Sequence, residues 1–257
     1  MKQDDRVPFD RALRRAREAA YPPGEYAGQE SFMTASEIRA LAARAGIGPG
    51  VSVLDLCCGV GGPAAVLNGC DYLGVDFSEG AVALARRRAP GRRFAVAKAP
   101  PLPPGRFEVV LLLEAMLAIE DKAALVHAVA AGMQPGGRFA FTLEEGRPLS
   151  GAERAAMPDA DTVFLTPLGE LAELLERAGL ELAWQEDHSA EHAATARALA
   201  AAYEADGDAI AAALGRRALD DLLAAHRLWI DWLQSGRVRK LALVATRMPS
   251  GPATTVR

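Results

Sequence analysis

The chain has 257 residues, of which 50% are hydrophobic and 24% charged, with a formal net charge of -4. This composition indicates a globular protein with a large core, and the negative charge argues against binding to a nucleic-acid backbone. No run reaches the ~18 apolar residues of a membrane span, and the polar start MKQDDRVPFD differs from a secretory signal. Three cysteines, two of them adjacent, favour reduced thiols and a cytoplasmic location.

Two helices are predicted before the first strand. Residues 10–20 have apolar positions at helical spacing, their arginines are interpreted as a solvated face, and the following Tyr-Pro-Pro-Gly ends the helix. The second helix begins at Thr34, because Glu37 follows three residues later as in a capping box. An aromatic and polar connector at 25–32 joins the two helices.

Segment 51–63, VSVLDLCCGVGGP, carries the strongest local pattern. Its apolar, β-branched start predicts a strand buried on both faces of a parallel sheet. Gly59, Gly61 and Gly62 predict a tight turn, and Pro63 suits the first turn of a helix. Such a turn lets a ligand approach the backbone closely and leaves amides exposed at a helix N-terminus. Taken alone, it also fits a dinucleotide site or a structural turn.

Beyond Pro63, strands alternate with helices. Strands are predicted at 72–75, 93–97, 107–113, 138–143, 180–184 and 240–245, and helices at 79–88, 123–131 and 168–177. This alternation predicts a doubly wound, mostly parallel α/β sheet. Residues 187–236 are rich in Ala, Leu and Glu and are interpreted as two helices broken near Gly215 that cap the strand ends. Residues 248–257 are predicted to form a disordered tail.

Acidic residues follow three of the predicted strands. Asp76 ends the second strand, Glu114 ends the fourth, and Glu144 and Glu145 follow the fifth. Open α/β sheets bind ligands at the carboxyl ends of their strands, where the glycine turn also lies. A carboxylate at Asp76 could accept hydrogen bonds from both hydroxyls of a ribose. Together these features favour a ligand site over four unrelated structural caps.

The runs DLCCGVGG, GVDFS and PGGRF resemble the class I S-adenosylmethionine-dependent methyltransferases, nearest their small-molecule, ubiquinone/menaquinone C-methyltransferase-like branch. The resemblance implies a seven-stranded Rossmann-like sheet whose last strand lies antiparallel between the fifth and sixth. It also implies a single domain over 1–247, with N-terminal lid helices at 8–48 and a helical cap at 187–236. The implied cofactor is S-adenosylmethionine, and the implied partner is a small, specialised methyl acceptor. A monomer or homodimer is expected, with no nucleic-acid, membrane or metal partner.

The resemblance implies roles for individual residues. The glycine turn would hold the methionine part of the cofactor. Asp76, after the second strand, would bind the ribose. The connector at 25–32 would close over the bound cofactor. The implied cofactor-binding residues are Tyr26, Gln29, Asp55, Cys57, Gly59, Gly61, Asp76, Phe77, Lys98, Ala99 and Glu114. The catalytic candidates, which would orient the acceptor or stabilise developing positive charge, are Glu144, Glu145 and His188.

Two positions depart from the family pattern. Ala118 stands where related enzymes often carry a histidine base, four residues after the acid at Glu114. Lys98 stands where an aspartate usually accepts from the adenine amine, which predicts weaker cofactor binding than is usual for the family. The alternative hypothesis is a methyltransferase-fold protein that catalyses a rearrangement or cyclisation, or that only binds a ligand.

Overall fold

The computed structural model describes residues 11–248, which form one seven-stranded sheet with helices on both faces. The strands are β1 (Ser52–Leu56), β2 (Asp71–Asp76), β3 (Arg93–Val96), β4 (Phe107–Leu112), β5 (Met133–Glu145), β6 (Leu180–Asp187) and β7 (Arg239–Arg247). The helices are α1 (Arg11–Ala20), α2 (Ala35–Arg44), α3 (Gly62–Val66), α4 (Glu79–Arg88), α5 (Lys122–Gly132), α6 (Gly151–Ala156), α7 (Leu168–Arg177), α8 (Ser189–Ala205), α9 (Gly207–Leu214) and α10 (Arg216–Ser235).

The strand order is β3-β2-β1-β4-β5-β7-β6. β1 pairs in parallel with β2 and β4, whereas β7 is antiparallel to both of its neighbours, β5 and β6. The chain order therefore reverses between β1 and β4, which is where open α/β sheets place a ligand. The predicted seven-stranded, mostly parallel sheet is confirmed, including the position of its last strand.

Successive side chains of β1 point to opposite faces of the sheet and pack into two separate hydrophobic clusters. Leu54 lies in a cluster with Leu125 of α5, and Val53 lies in a second cluster with Ile38 of α2. All of these side chains are 2% exposed or less. Because both faces of the sheet are covered by helices, the central strands are apolar throughout instead of alternating with polar residues.

The predicted helix starts are confirmed at two places. Thr34 and Glu37 form the expected capping box of α2, in which the Thr34 side chain accepts from the Glu37 amide. Ser78 caps α4 by accepting from the Ala81 amide at 3.2 Å. Each cap satisfies an amide that the first turn of a helix leaves without an intrahelical partner.

The late helical region differs from the prediction in its number of helices. It contains α8, α9 and α10, so the chain breaks at Asp206 as well as at Gly215. Arg15 of α1 donates to both carboxylate oxygens of Asp206 at 3.0 Å. A contact across 191 residues leaves no trace in local periodicity. The helix α6 was also not predicted.

Helix α1 packs with the late helices in one apolar cluster. Leu13 of α1 lies with Leu199 of α8, Ile210 of α9 and Leu219 of α10. The N-terminal and late helical segments therefore form one layer. Residues 8–10 of the predicted lid region and 249–257 of the predicted tail lie outside the described residues, and the assignment of 1–247 to one domain stays a prediction. No helix within 11–248 is long and apolar enough to cross a membrane.

Candidate functional site

A cavity of about 510 Å³ lies at the carboxyl ends of β1 and β4, beside the loop after β2. Its floor is the glycine turn, one wall carries Phe77 and residues 97–99, and the opposite wall is formed by 113–115, Ala118 and Ile119. Residues 28–31 and Met33 form its roof. This is the position that the sheet topology predicts for a ligand.

Asp76 fixes the shape of the glycine turn. Its carboxylate accepts from the Gly59 amide at 3.0 Å and from the Ser78 amide at 2.9 Å. A Cβ at Gly59 would meet no atom within 4 Å, so the space above the turn is open to a ligand. Gly61 has a φ of 80°, and a Cβ there would lie 3.1 Å from the Cα of Ala85. Gly61 is thus needed for close packing of the turn on α4 and does not line the cavity.

Asp55 lies buried at the end of the floor and accepts a hydrogen bond from the Tyr72 hydroxyl. Burial raises the pKa of Asp55 to about 7, although the hydrogen bond from Tyr72 opposes the shift. A cationic ligand group in the cavity would stabilise the ionised form. Tyr72 was not predicted as part of the site, because its position early in β2 looks like an ordinary core residue.

Two residues of the cavity wall have left-handed backbone conformations that side chains rarely adopt. Cys57 has a φ of 56° and Glu114 a φ of 55°, and they follow the neighbouring strands β1 and β4. Such conformations cost of order 1–3 kcal/mol and cluster at functional sites. Burial raises the pKa of the Cys57 thiol to about 12, so the group is a neutral part of the wall.

The wall opposite Glu114 presents an exposed aromatic ring. Phe77 is 62% exposed although it is a large apolar side chain. Lys98 and Ala99 lie beside it on the same wall, and the Lys98 side chain is exposed. An exposed ring at a cavity mouth offers a flat surface on which a planar ligand group can stack.

Hydrogen bonds from Arg88 link the roof segment to the glycine turn. Arg88 of α4 donates to the carbonyls of Gly28 at 3.3 Å and Val60 at 3.0 Å. Gln29 is buried and donates to the carbonyls of Glu25 and Met33, at 2.9 and 2.8 Å. The predicted lid segment therefore covers the cavity, with Gln29 shaping its backbone. Tyr26 does not line the cavity, since its ring packs against Tyr21 at 5.4 Å.

A second cavity of about 200 Å³ adjoins the first and shares Glu30, Ser31 and Glu114 with it. Its other walls include residues of α1, α8 and α10, which lie within the expected lid and cap segments, and of β5 and β7. Its lining side chains outside the shared set include Arg17, Tyr21, Phe32, Leu117, Glu144, Leu199, Tyr203, Ala225, His226, Trp229 and Lys240.

A buried lysine joins two carboxylates at the boundary of the two cavities. Lys240 Nζ lies 2.6 Å from Glu114 Oε2 and 2.5 Å from Glu144 Oε1. Burial raises the pKa of the Glu114 carboxyl, but the charges of Lys240 and His192 and the hydrogen bonds of Lys240 and Thr142 together outweigh it, and the net shift is downward. Burial lowers the pKa of Lys240, and the two carboxylates outweigh this and raise it. Glu114 and Lys240 are therefore both charged near neutral pH.

Arg17 corrects the prediction that the arginines of the first helix form a solvated face. Its side chain is 13% exposed and lies against the second cavity. It donates to Glu30 at 2.8 Å and to the Tyr203 hydroxyl at 3.2 Å. The inward turn follows from packing of α1 on α8, which places Tyr203 beside it.

Two of the predicted catalytic residues lie outside both cavities. Glu145 accepts from Arg239 at 2.9 Å, on the face of β5 opposite Glu144. His188 lies 3.4 Å from Glu37 and 3.7 Å from Glu186. Of the three catalytic candidates, Glu144 alone lines a cavity within the part of the chain that the structure describes. No cluster of metal-ligating side chains occurs among residues 11–248.

The chain matches the methyltransferase domain family over residues 9–185. It is 25% identical over 211 residues to a phosphoethanolamine N-methyltransferase of Triticum aestivum, covering 77% of this chain and 41% of that protein. It is 31% identical over 147 residues to a demethylmenaquinone methyltransferase of Beutenbergia cavernae, covering 56% of this chain and 59% of that one. The chain thus spans about half the length of these curated relatives.

Solved structures share the fold. The cyclopropane synthase MmaA2 of Mycobacterium tuberculosis superposes with a TM-score of 0.78 at 13% identity, covering 95% of this chain and 97% of that chain. The cyclase SpnF superposes with a TM-score of 0.68 at 24% identity, covering 84% of this chain and 82% of that chain. At these identities the likeness concerns the fold alone.

Proposed function

The chain belongs to the methyltransferase domain family, and from this premise we propose that it transfers a methyl group from S-adenosylmethionine to a small, specialised metabolite. The first cavity would hold the cofactor, and the second would hold the methyl acceptor. The observation that carries the proposal is that the two cavities meet at Glu114. Methyl transfer is an in-line displacement, so donor and acceptor must occupy adjoining sites with a common boundary.

The residues of the first cavity fit this cofactor. The open space above Gly59 admits the methionine part, and the exposed ring of Phe77 offers a face to the adenine. Asp76 does not line the cavity itself, but it directly precedes Phe77 and accepts from the Gly59 amide, both of which do. Each of its oxygens accepts one backbone hydrogen bond and retains a lone pair that a ribose hydroxyl would use. Asp55 would face the ammonium of the methionine part, which would hold this carboxylate in its ionised form.

When bound, the cofactor supplies a methyl group on a positively charged sulfur, and an electron pair of the acceptor forms the new bond as the sulfur–methyl bond breaks. The chain's own contribution is alignment and exclusion of water. The roof segment, held by Arg88, covers the first cavity, and Glu114 and Glu144 border the acceptor. Ala118 offers no base, so a proton released by the acceptor would pass to a carboxylate of this boundary or to solvent.

Incubation with methyl-labelled S-adenosylmethionine and a panel of small acceptors tests the proposed function directly. We expect the label to appear in a product that forms together with S-adenosylhomocysteine. Substitution of Glu144, beside the acceptor, should slow this transfer more than substitution of Glu145, which lies outside both cavities. A product that forms without label would instead support the hypothesis of a rearrangement or cyclisation. Failure of S-adenosylhomocysteine to bind in calorimetry would contradict the cofactor assignment.

Replacing Lys98 with aspartate should tighten the binding of S-adenosylmethionine several-fold. Lys98 lines the cofactor cavity but can only donate hydrogen bonds, whereas the adenine amine needs an acceptor. A restored acceptor contributes about 1 kcal/mol, which corresponds to roughly five- to tenfold in affinity. Isothermal titration of the two proteins measures the change, with Lys98→Ala as the control for removal of the positive charge. Weaker binding by Lys98→Asp would show that Lys98 itself contacts the ligand.

A further inference from the structure

The boundary between the two cavities carries an unbalanced buried charge. Glu114 and Glu144 bring two carboxylates, and Lys240 brings one ammonium. Their side chains are 8%, 1% and 5% exposed, respectively. Glu114 Oε1 and Glu144 Oε2 are inaccessible to solvent and have no hydrogen-bond partner within residues 11–248. A buried carboxylate without full compensation is costly, so a cationic donor placed in the adjoining cavity would stabilise both groups.

The remaining charges of the second cavity do not supply that donor. Arg17 is already engaged by Glu30 and Tyr203. His226 directs Nδ1 at the Leu222 carbonyl, and burial together with Arg17 lowers its pKa, so its ring is neutral near pH 7. With the Arg17 and Glu30 charges cancelling, the side chains that line the cavity retain one net negative charge. The buried Lys122 also attracts Glu144, but it does not line the cavity, and its ammonium donates to the carbonyls of Ile119 and Phe164.

The rest of the second cavity is apolar and aromatic. Phe32, Leu117, Leu199, Ala225 and Trp229 line it. The Phe32 ring already lies 5.5 Å from Lys240 Nζ, a distance at which a ring face attracts a cation. A ligand that suits these walls has an apolar body and a positively charged end.

We propose that the second cavity recognises the methyl acceptor through a protonated amine, which binds beside Glu114 and Glu144 and is attracted by their uncompensated negative charge. The apolar part of the acceptor packs against Phe32 and Trp229. The amine is an anchor in this role, and no bond to it changes. Naming this ligand as the acceptor rests on the proposed function, whereas recognition of an amine by the cavity does not.

Three probes of similar shape test the preference on the wild-type protein saturated with S-adenosylhomocysteine. They are 2-phenylethylamine, the neutral 2-phenylethanol and the anionic 3-phenylpropionate, each titrated calorimetrically at pH 7.5. We expect the amine to bind at least tenfold more tightly than the alcohol, and the anion to bind more weakly than either. Equal or tighter binding of the alcohol or the anion would overturn the proposal, and this comparison needs no variant.

Two neighbouring glutamates provide matched variants. Glu144→Gln should reduce the preference for the amine over the alcohol at least tenfold, because a buried charge that attracts the ammonium is lost. Glu145→Gln removes the same charge one residue away but outside both cavities, so the preference should persist. An equal loss in both variants would contradict recognition by the buried carboxylate.

Binding of S-adenosylhomocysteine separates this proposal from the proposed function. If the wild-type protein prefers the amine but binds no S-adenosylhomocysteine, the amine site stands and the methyltransferase assignment fails. If S-adenosylhomocysteine binds and the amine shows no preference, amine recognition alone is rejected. The amine titration is therefore repeated without S-adenosylhomocysteine, and the preference should remain.

Discussion

Replacing Asp76 with alanine should weaken the binding of S-adenosylhomocysteine at least ~100-fold. If Asp76 binds the ribose as proposed, the substitution removes two charge-assisted hydrogen bonds, each worth about 1.5–3 kcal/mol. Their sum is about 3 kcal/mol or more, and every ~1.4 kcal/mol corresponds to a factor of ten in the dissociation constant. Calorimetric titration of the wild-type protein and the variant measures the change.

Asp76 also accepts from the backbone at Gly59 and Ser78, so direct and indirect effects must be separated. An analogue of S-adenosylhomocysteine that lacks the ribose 2′-hydroxyl separates these two effects. It should bind the wild-type protein more weakly than the intact ligand, whereas Asp76→Ala should bind both equally. Asp71→Ala, at the exposed start of the same strand, is the control for loss of an aspartate and should bind normally. An affinity of Asp76→Ala within about threefold of wild type would contradict the ribose assignment.

The sheet and the cofactor cavity could be predicted because their signals are local. A β-branched run followed by Gly59 and Gly61 specifies a strand and a turn from consecutive residues. The alternation of strands and helices then specifies the parallel sheet and the edge at which a ligand binds. The resemblance to a known family supplied the antiparallel position of β7, which periodicity does not reveal.

The second cavity could not be predicted in the same way, because its parts are far apart in the chain. Lys240 is 126 residues from Glu114 and 96 residues from Glu144. The register of β5 and β7 would have indicated this cavity, because it pairs Glu144 with Lys240 and Glu145 with Arg239. Since neighbouring residues of a strand point to opposite faces, this register also decides which glutamate turns toward the cavity.

Removal of the Lys240 ammonium should strongly reduce the stability of the protein, because the register of β5 and β7 places Lys240 beside Glu144. Lys240→Met should reduce the free energy of unfolding by about 3–5 kcal/mol, because removing one partner of a buried ion pair leaves the other charge uncompensated. Here two carboxylates, Glu114 and Glu144, lose their shared ammonium. Methionine has a similar length, so loss of packing accounts for little of the change. Urea denaturation without cofactor measures it, and Lys98→Met, which removes an exposed lysine, should stay within about 0.5 kcal/mol of wild type.

The pH dependence of this loss identifies its cause. In the wild-type protein the pKa of Glu114 is lowered, so its contribution to stability is present above the usual glutamate pKa and disappears as the pH falls through the lowered value. In Lys240→Met the burial of Glu114 is opposed only by the smaller effects of His192 and Thr142, and its pKa should rise above the usual value. The contribution of Glu114 to the stability of the variant should then be fully present below about pH 4.3 and be lost as the pH rises through the raised pKa.

Urea titrations at pH 5 and pH 8 compare the two slopes. Relative to the wild-type protein, Lys240→Met should lose more stability at pH 8 than at pH 5, since Glu114 is then ionised without its ammonium partner. Adding Glu144→Gln to Lys240→Met removes one of these charges and should restore part of the stability, which a double-mutant cycle quantifies. A loss that is independent of pH and is not relieved by Glu144→Gln would mean that Lys240 supports the fold by packing, and that the buried charges contribute little.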